Sequence, residues 1–171
     1  SGHTVESFNA EMRGEHRTVL QMGALVRHQI RNAAKTLRDE DPEAARKVIA
    51  DDLEVNALDI QVAARVEAIL ARRTPVASDL REVLTVAKIA TDLERCGDEA
   101  GKLAKLTIHF FDSPGIAPNY QLLQEVSKVA GFVDLMLQES LDAFDERNID
   151  SACEVIRTSE SLDGEFRSAL R

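Results

Sequence analysis

Two carboxylates near the middle of the chain lie at a spacing that suits shared chemistry. Glu94 and Asp98 are four residues apart, so on a helix they lie one turn apart on the same side. At 100° per residue they fall opposite the polar face of their segment, among small residues that include Gly97 and Gly101. An unpaired carboxylate inside a protein is costly, so each requires a cation, a metal ion or a raised pKa. Each glycine weakens a helix interior by about 1 kcal/mol relative to Ala, which predicts that another group approaches the backbone closely there.

A second set of oxygen-bearing side chains interrupts the apolar stripe of the preceding segment. Asp52 and Asp59 occupy stripe positions, and Asn56 follows Asp52 by one turn. Carboxylate and amide oxygens on facing helices suit hard cations or iron, as in carboxylate-lined helical bundles. The alternative is that these residues lie at the rim of a bundle and pair with Arg or Lys of a neighbouring helix. Spacing alone leaves both interpretations open.

A mixed-charge arc runs along the same segment as Glu94. It could be a partner-binding surface or an ordinary solvated helix face, and the pattern favours neither. The arc consists of Arg81, Lys88, Asp92, Arg95 and Glu99.

Hydrophobic periodicity predicts that long helices position these groups. Val5, Met12, Val19, Val26 and Ala33 recur every seven residues, which is typical of a long amphipathic helix. Asp41 is predicted to cap a second helix, and the proline after it suits the first turn of that helix. The fold class is therefore all-α. The predicted helices span about residues 5–40, 42–73, 76–111 (or from 77), 120–146 and 149–170.

An internal repeat predicts two related bundles. A shift of 107 residues places Val26, Ile30 and Ala34 on Val133, Leu137 and Leu141 without a gap. The alternative is chance agreement between two amphipathic helical pairs. The repeat predicts long antiparallel helices in a first three-helix bundle (5–112), a linker (113–119) and a second bundle (120–171) that lacks its third helix. The apolar stripe of the last two helices then needs a partner helix, which either the missing part of the second bundle or another copy of the chain must supply. Its exposure should promote self-association as a homodimer.

Composition and charge narrow the classes of partner. The net charge of −9 disfavours nucleic acid and anionic lipid. No apolar run approaches the roughly 20 residues of a membrane span, and no signal peptide is visible. The cysteines, Cys96 and Cys153, lack CxxC spacing and are interpreted as reduced and half-buried, so a cytoplasmic location is expected. The histidines are scattered, no catalytic constellation or phosphate loop is evident, and neither catalysis nor an organic cofactor is expected.

Two motifs then carry a family resemblance. Residues 73–81 read R-T-P-V-A-S-D-L-R, and residues 93–100 read L-E-R-C-G-D-E-A. This hinge followed by this helix motif resembles the PhoU family, the phosphate-specific transport system accessory proteins and phosphate-regulon regulators. Cys96 stands where a branched aliphatic residue is usual. Met22-Gly23 and the two-repeat organisation add support.

The resemblance implies a fold and a set of metal ligands. PhoU-like proteins are two three-helix bundles whose E/D-x-x-x-D motifs can bind iron, manganese, magnesium or zinc. The resemblance makes Glu94 and Asp98 an intact motif and Asp52 with Asn56 a weakened one. In the second repeat only Asp163 matches, because Ser159 replaces the first ligand. Asp59 and Asp163 are the weaker candidates.

The resemblance also implies a regulatory role in the cytoplasm. PhoU-like proteins couple the phosphate ABC transporter to a sensor histidine kinase, hold the kinase in its repressing state and restrain phosphate uptake. The expected partners are therefore that kinase and the transporter ATPase, with no nucleic acid and no direct membrane insertion. The alternatives are a metal-binding carboxylate bundle with a storage or metalloenzyme role, and a purely structural helical module.

Overall fold

The described part of the chain is a set of long α-helices. The computed structural model describes residues 2–112 and 117–169, and these contain no strand. The all-α prediction is confirmed, and each helix boundary agrees within about three residues. Residues 113–116 of the predicted linker, and 170 and 171, lie outside the described residues. The helices are α1 (Gly2–Asp39), α2 (Pro42–Arg73), α3 (Ala77–Phe111), α4 (Tyr120–Glu146) and α5 (Ile149–Ala169).

Side-chain caps explain where two of these helices begin. The Asp41 carboxylate accepts a hydrogen bond from the backbone N–H of Ala44 at 3.0 Å, and Pro42 occupies the first turn of α2. The Asn119 side chain does the same for α4, accepting from Leu122 at 3.1 Å. Each cap satisfies a backbone donor that the first turn leaves unpaired.

The first three helices enclose the main hydrophobic core. Met22 and Val26 of α1 are fully buried, as are Val55 and Val62 of α2 and Val83 of α3. A continuous apolar stripe from each helix therefore faces the other two, as the periodicity predicts. This packing sets the rotation of each helix, and with it the direction of every polar side chain on the inner faces.

Helix α4 packs against α1 and runs antiparallel to it. Arg27 Nε donates to Asp134 Oδ1 at 2.9 Å, and Arg31 reaches the same carboxylate at 3.4 Å. A Cβ at Gly23 would lie 2.5 Å from Leu141 Cδ1, so glycine lets the two helices approach. Several α4 side chains pack on the core of the first three helices, which joins α4 to that core.

Helix α5 contacts α4 alone among the described helices. The two helices leave large apolar side chains exposed, among them Phe132, Leu135 and Ile156. The predicted apolar stripe of these helices is thus present and largely uncovered. No described helix combines the length and the hydropathy that crossing a membrane requires. Cys153 is exposed rather than half-buried, because its side of α5 faces no other described helix.

Candidate metal centre

Gly97 lets polar groups from three helices meet. It is buried in the interior of α3, and a Cβ on it would lie 2.8 Å from Asp52 Oδ1 of α2 and 3.0 Å from Gln29 Oε1 of α1. The predicted close approach is therefore confirmed at Gly97. It is wrong at Gly101, where a Cβ would meet nothing within 4 Å, because no other described group reaches that turn.

Gln29 is the residue that the sequence analysis missed. Its side chain is 4% exposed, and its amide donates to Asp52 Oδ1 at 3.1 Å. Its own carbonyl, Oε1, is buried with no hydrogen-bond partner in the described part of the chain. A signal was present in the sequence, because Gln29 lies three residues after Val26 in the buried stripe of α1.

Asn56 presents a second buried oxygen in the same state. Its Oδ1 has no hydrogen-bond partner among the residues that the structure describes. An unsatisfied buried acceptor costs about 1–3 kcal/mol. Gln29 and Asn56 therefore supply two carbonyl oxygens with unused capacity, the first beside Asp52 and the second one turn after it on α2.

The carboxylates of α2 and α3 influence one another. Desolvation is the largest cause of the raised pKa of Glu94, and the negative charges of Asp98, Asp59 and Asp52 raise it further. Burial alone raises the pKa of Asp59. The charges of Asp52, Asp59 and Asp98 thus act on Glu94, whose ionised form becomes more favourable once a cation neutralises part of that charge.

The exposure of Asp98 contradicts one prediction about this region. The helical projection placed it on the inner side of α3 with Glu94, but Asp98 is exposed and Glu94 is half-buried. The reason is packing, because α3 turns Leu93, Gly97 and Ala100 inward and the next position after Gly97 lies beyond the edge of the contact.

The donor set fits a hard cation in its chemistry. The candidate ligands are carboxylate and amide oxygens, with no imidazole or thiolate. Among residues 2–112 and 117–169, however, no three His, Cys, Asp or Glu side chains lie close enough together to hold a metal ion. The oxygens would therefore have to move together on binding.

Asp163 is separated from this centre. It lies exposed on α5, where Arg167 holds its carboxylate at 2.7 Å, and α5 contacts only α4 in the described structure. Asp163 cannot therefore join the oxygens of α2 and α3, and it would belong to a different site.

The mixed-charge arc on α3 lies at the surface. Lys88 Nζ donates to Asp92 at 3.3 Å, and Glu99 accepts from its neighbour Lys102 at 2.6 Å. Arg95 lies 3.8 Å from Asp92, and Arg81 is exposed. These exposed pairs contribute little stability.

One edge of the arc borders an apolar groove between α3 and α4. Asp92, Arg95 and Glu99 line this groove of about 520 Å³, and its opposite wall includes Val129 and Val133. Charged side chains that rim an apolar groove are typical of a surface that receives a partner.

Comparisons with known proteins match nearly the whole chain. The family model described as the PhoU domain matches residues 19–107. A Pseudomonas aeruginosa protein named "Phosphate-specific transport system accessory protein PhoU homolog" is 37% identical over 99% of this chain and 69% of its own length. The Escherichia coli K12 protein named "Phosphate-specific transport system accessory protein PhoU" is 31% identical over 99% of this chain and 68% of its own length. The chain thus spans about two thirds of the length of these relatives.

A solved structure shows the same arrangement of helices. The crystal structure of PhoU from Pseudomonas aeruginosa superposes with a TM-score of 0.87 at 36% sequence identity, over 96% of this chain and 77% of that one. Together with the hinge and helix motifs, this establishes that the chain belongs to the PhoU family.

Proposed function

We propose that this protein is an accessory regulator of a phosphate transport system that acts by binding partners. The observation that carries the proposal is 37% identity over 99% of the chain to a relative named as such an accessory protein. In the cytoplasm, the protein would link the ATPase of the phosphate ABC transporter to a sensor histidine kinase. It would hold that kinase in its repressing state and restrain uptake when phosphate is plentiful. This role requires no catalytic group.

The α3 surface is the part of the molecule that we assign to partner binding. The mixed-charge arc is exposed, and its Asp92, Arg95 and Glu99 rim the apolar groove between α3 and α4. An apolar floor with a charged rim is the usual anatomy of a protein interface. The rim charges should set specificity and the rate of association more than affinity.

A pull-down with the transporter ATPase and with the cytoplasmic part of the kinase tests this assignment. Arg95→Glu should lower capture of at least one of them about tenfold, because it reverses a rim charge. Lys47→Glu is the matched control, since it makes the same charge change at an exposed position of α2 away from the groove. Failure of the native protein to capture either partner would overturn the adaptor proposal.

Self-association is the second part of the proposed function. Phe132 and Leu135 of α4 are each 51% exposed and Ile156 of α5 is 59% exposed, and none of the three lines the groove assigned to partner binding. They belong to the apolar stripe of α4 and α5, which the described helices leave largely uncovered. A second copy of the chain would cover it, and light scattering should therefore give the mass of a dimer at micromolar concentration. A monomer would contradict the proposal.

Metal binding is a further candidate property, favoured by the orphaned oxygens of Gln29 and Asn56. Asp52, Asn56, Glu94 and Asp98 would hold a divalent or iron-type cation, with Asp59 as a weaker neighbour. Bound there, the cation would neutralise the clustered carboxylates and tie α2 to α3. The alternative function of a storage or metalloenzyme bundle would use the same residues and would require a stoichiometric site.

Metal titration followed by thermal unfolding tests this property. Mn²⁺ or Mg²⁺ should raise the Tm of the native protein in a saturable way, by mass action on the folded state. Replacing Glu94 with Gln and Asp98 with Asn should abolish the shift. Glu99→Gln is the matched control, because Glu99 belongs to the same helix and pairs with Lys102 instead. An equal shift in all three proteins would exclude these carboxylates as ligands.

A further inference from the structure

A second cavity lies at the opposite end of α1 from the acidic centre. It has a volume of about 500 Å³ and lies between the first half of α1, the start of α3 and the end of α4. A volume of this size is within the range of small-molecule sites. Its charged lining comprises Arg13, His16 and Arg17 of α1, Glu82 of α3, and Asp145 and Arg147 from the end of α4.

The acidic groups of this cavity already have partners. Arg147 Nη2 donates to Glu82 Oε1 at 2.7 Å, and His16 Nε2 lies within hydrogen-bond distance of Asp145 Oδ1 at 3.1 Å. His16 also stacks on Phe144, with the ring centroids 4.2 Å apart. These contacts order the walls of the cavity and engage one oxygen of each carboxylate with a residue other than Arg13 or Arg17.

Arg13 and Arg17 are the remaining two cationic side chains of the cavity lining. Neither has an ion pair or a hydrogen bond within the described part of the chain. They lie one turn apart on α1, and like charges at this spacing destabilise a helix. Asn9 lies one turn before Arg13 and Gln21 one turn after Arg17, so no acidic residue follows or precedes them at four residues.

Several surface cations elsewhere in this protein have an acidic partner within one turn. Lys88 pairs with an aspartate one turn away, and Lys102 and Lys128 each pair with a glutamate three residues away. The chain has 30 acidic residues against 21 Lys and Arg, so carboxylates for pairing are abundant. Two adjacent arginines without one, in the lining of a cavity, therefore form a local excess of positive charge in an acidic protein.

We propose that this cavity binds a small oxyanion of the phosphate class, held by the guanidinium groups of Arg13 and Arg17. Guanidinium groups present planar pairs of N–H donors that match the oxygens of such an anion. The anion would also relieve the repulsion between the two arginines. A concave lining drawn from three helices favours a small molecule over an acidic protein segment, which would suit a flatter surface. The proposal is independent of the partner-binding and metal-binding roles above.

Calorimetric titration of the whole protein at constant ionic strength tests the proposal. The probes are inorganic phosphate and ribose 5-phosphate. Comparing their binding distinguishes a site for the free anion from a site for the phosphoryl group of a metabolite. At least one should bind in a saturable way. Arg13→Gln and Arg17→Gln should each weaken binding at least about tenfold, since each removes charge-assisted hydrogen bonds.

The control for this experiment is Arg38→Gln, which makes the same change at an exposed position near the end of α1, outside the cavity. It should bind the probes like the native protein. Glutamine forms helices well, so the exposed substitutions should leave the fold intact, and circular dichroism will check this. The absence of saturable binding of both probes, or an equal loss of affinity in Arg38→Gln, would overturn the proposal.

Discussion

Glu15 is a carboxylate buried with incomplete compensation. Its side chain lies in α1 facing α2, the residue is 3% exposed, and Oε2 has no hydrogen-bond partner in the described structure. Arg65 approaches Oε1 at only 3.6 Å, from a side chain that is half exposed. Desolvation therefore outweighs the attraction of Arg65 and raises the pKa of Glu15.

The raised pKa makes a prediction about stability and pH. A carboxyl group whose pKa is higher in the folded state contributes stability below its ordinary pKa of about 4.3 and loses it as the pH rises through the raised value. At pH 7 the ionised Glu15 is therefore a cost. We expect Glu15→Gln to increase the free energy of unfolding at pH 7 by about 1 kcal/mol, and urea unfolding at pH 7 and pH 4 should show the gain shrink at the lower pH.

Glu11, one turn earlier on α1, is the matched control. A hydrogen bond from Arg73 lowers its pKa, with Arg73 Nε 2.9 Å from Glu11 Oε2. A carboxyl group whose pKa is lower in the folded state stabilises the protein above its ordinary pKa. This contribution is lost as the pH falls through the lowered pKa. Glu11→Gln should therefore destabilise the protein at pH 7, by less than about 1 kcal/mol because the pair is partly solvated. If both variants shift stability in the same direction, the assignment of their environments is wrong.

At the scale of the helix, Gly97 and Gly101 of α3 allow the effect of helix propensity on stability to be distinguished from the effect of packing. Both lie in a helix interior, where Ala is preferred to Gly by about 1 kcal/mol. A methyl group at Gly101 meets open space, whereas at Gly97 it would collide with Asp52 Oδ1 and Gln29 Oε1. We expect Gly101→Ala to stabilise the protein by about 0.5–1 kcal/mol and Gly97→Ala to destabilise it by about 1–3 kcal/mol, as measured by denaturant unfolding.

The same pair of variants reports on the acidic centre. Gly97→Ala should also displace Asp52 and weaken any cation-dependent rise in Tm, while Gly101→Ala should leave that rise unchanged. If both substitutions stabilise the protein equally, Gln29 and Asp52 do not press against the α3 backbone.

The helix boundaries were predictable because their causes are local. Asp41 caps α2 through a backbone donor three residues away, and Pro42 fixes the first turn, so both signals lie within a few letters of sequence. At the end of α2, Thr74 adopts a left-handed conformation with φ of 44° directly before Pro75. A residue before proline is biased away from helix, which is the signal that the sequence analysis used.

The inner face of the centre was predictable only in part. Periodicity placed Glu94 and Asp98 on one side of α3, but the exposure of Asp98 depends on how α2 crosses α3, which no spacing within α3 reveals. The buried position of Gln29 follows from the stripe of α1, but its hydrogen bond to Asp52 joins two helices, and the spacing within α1 does not reveal that partner. Contacts between segments that are far apart in the sequence decide which way these side chains point.

At the scale of the whole molecule, the contact between α1 and α4 bears on the predicted repeat. Arg27 and Asp134 are hydrogen-bonded and separated by 107 residues, which is the repeat length found in the sequence. When two equivalent units are related by a two-fold axis, residues near the axis contact their own equivalents. The antiparallel packing of α1 on α4 around this pair supports the two-repeat arrangement, which stays a prediction.

This contact should hold the two predicted units together more strongly than surface ion pairs do. The side chains of Arg27 and Asp134 are 21% and 15% exposed, and Arg31 adds a second cation to the same carboxylate. In a double-mutant cycle with Arg27→Ala and Asp134→Ala, we expect a coupling energy of about 1–2 kcal/mol in the free energy of unfolding. The exposed pair of Glu125 and Lys128 on α4 should give no more than about 0.5 kcal/mol. Equal coupling in the two cycles would mean that the Arg27–Asp134 pair holds α4 to α1 no more strongly than an exposed ion pair would.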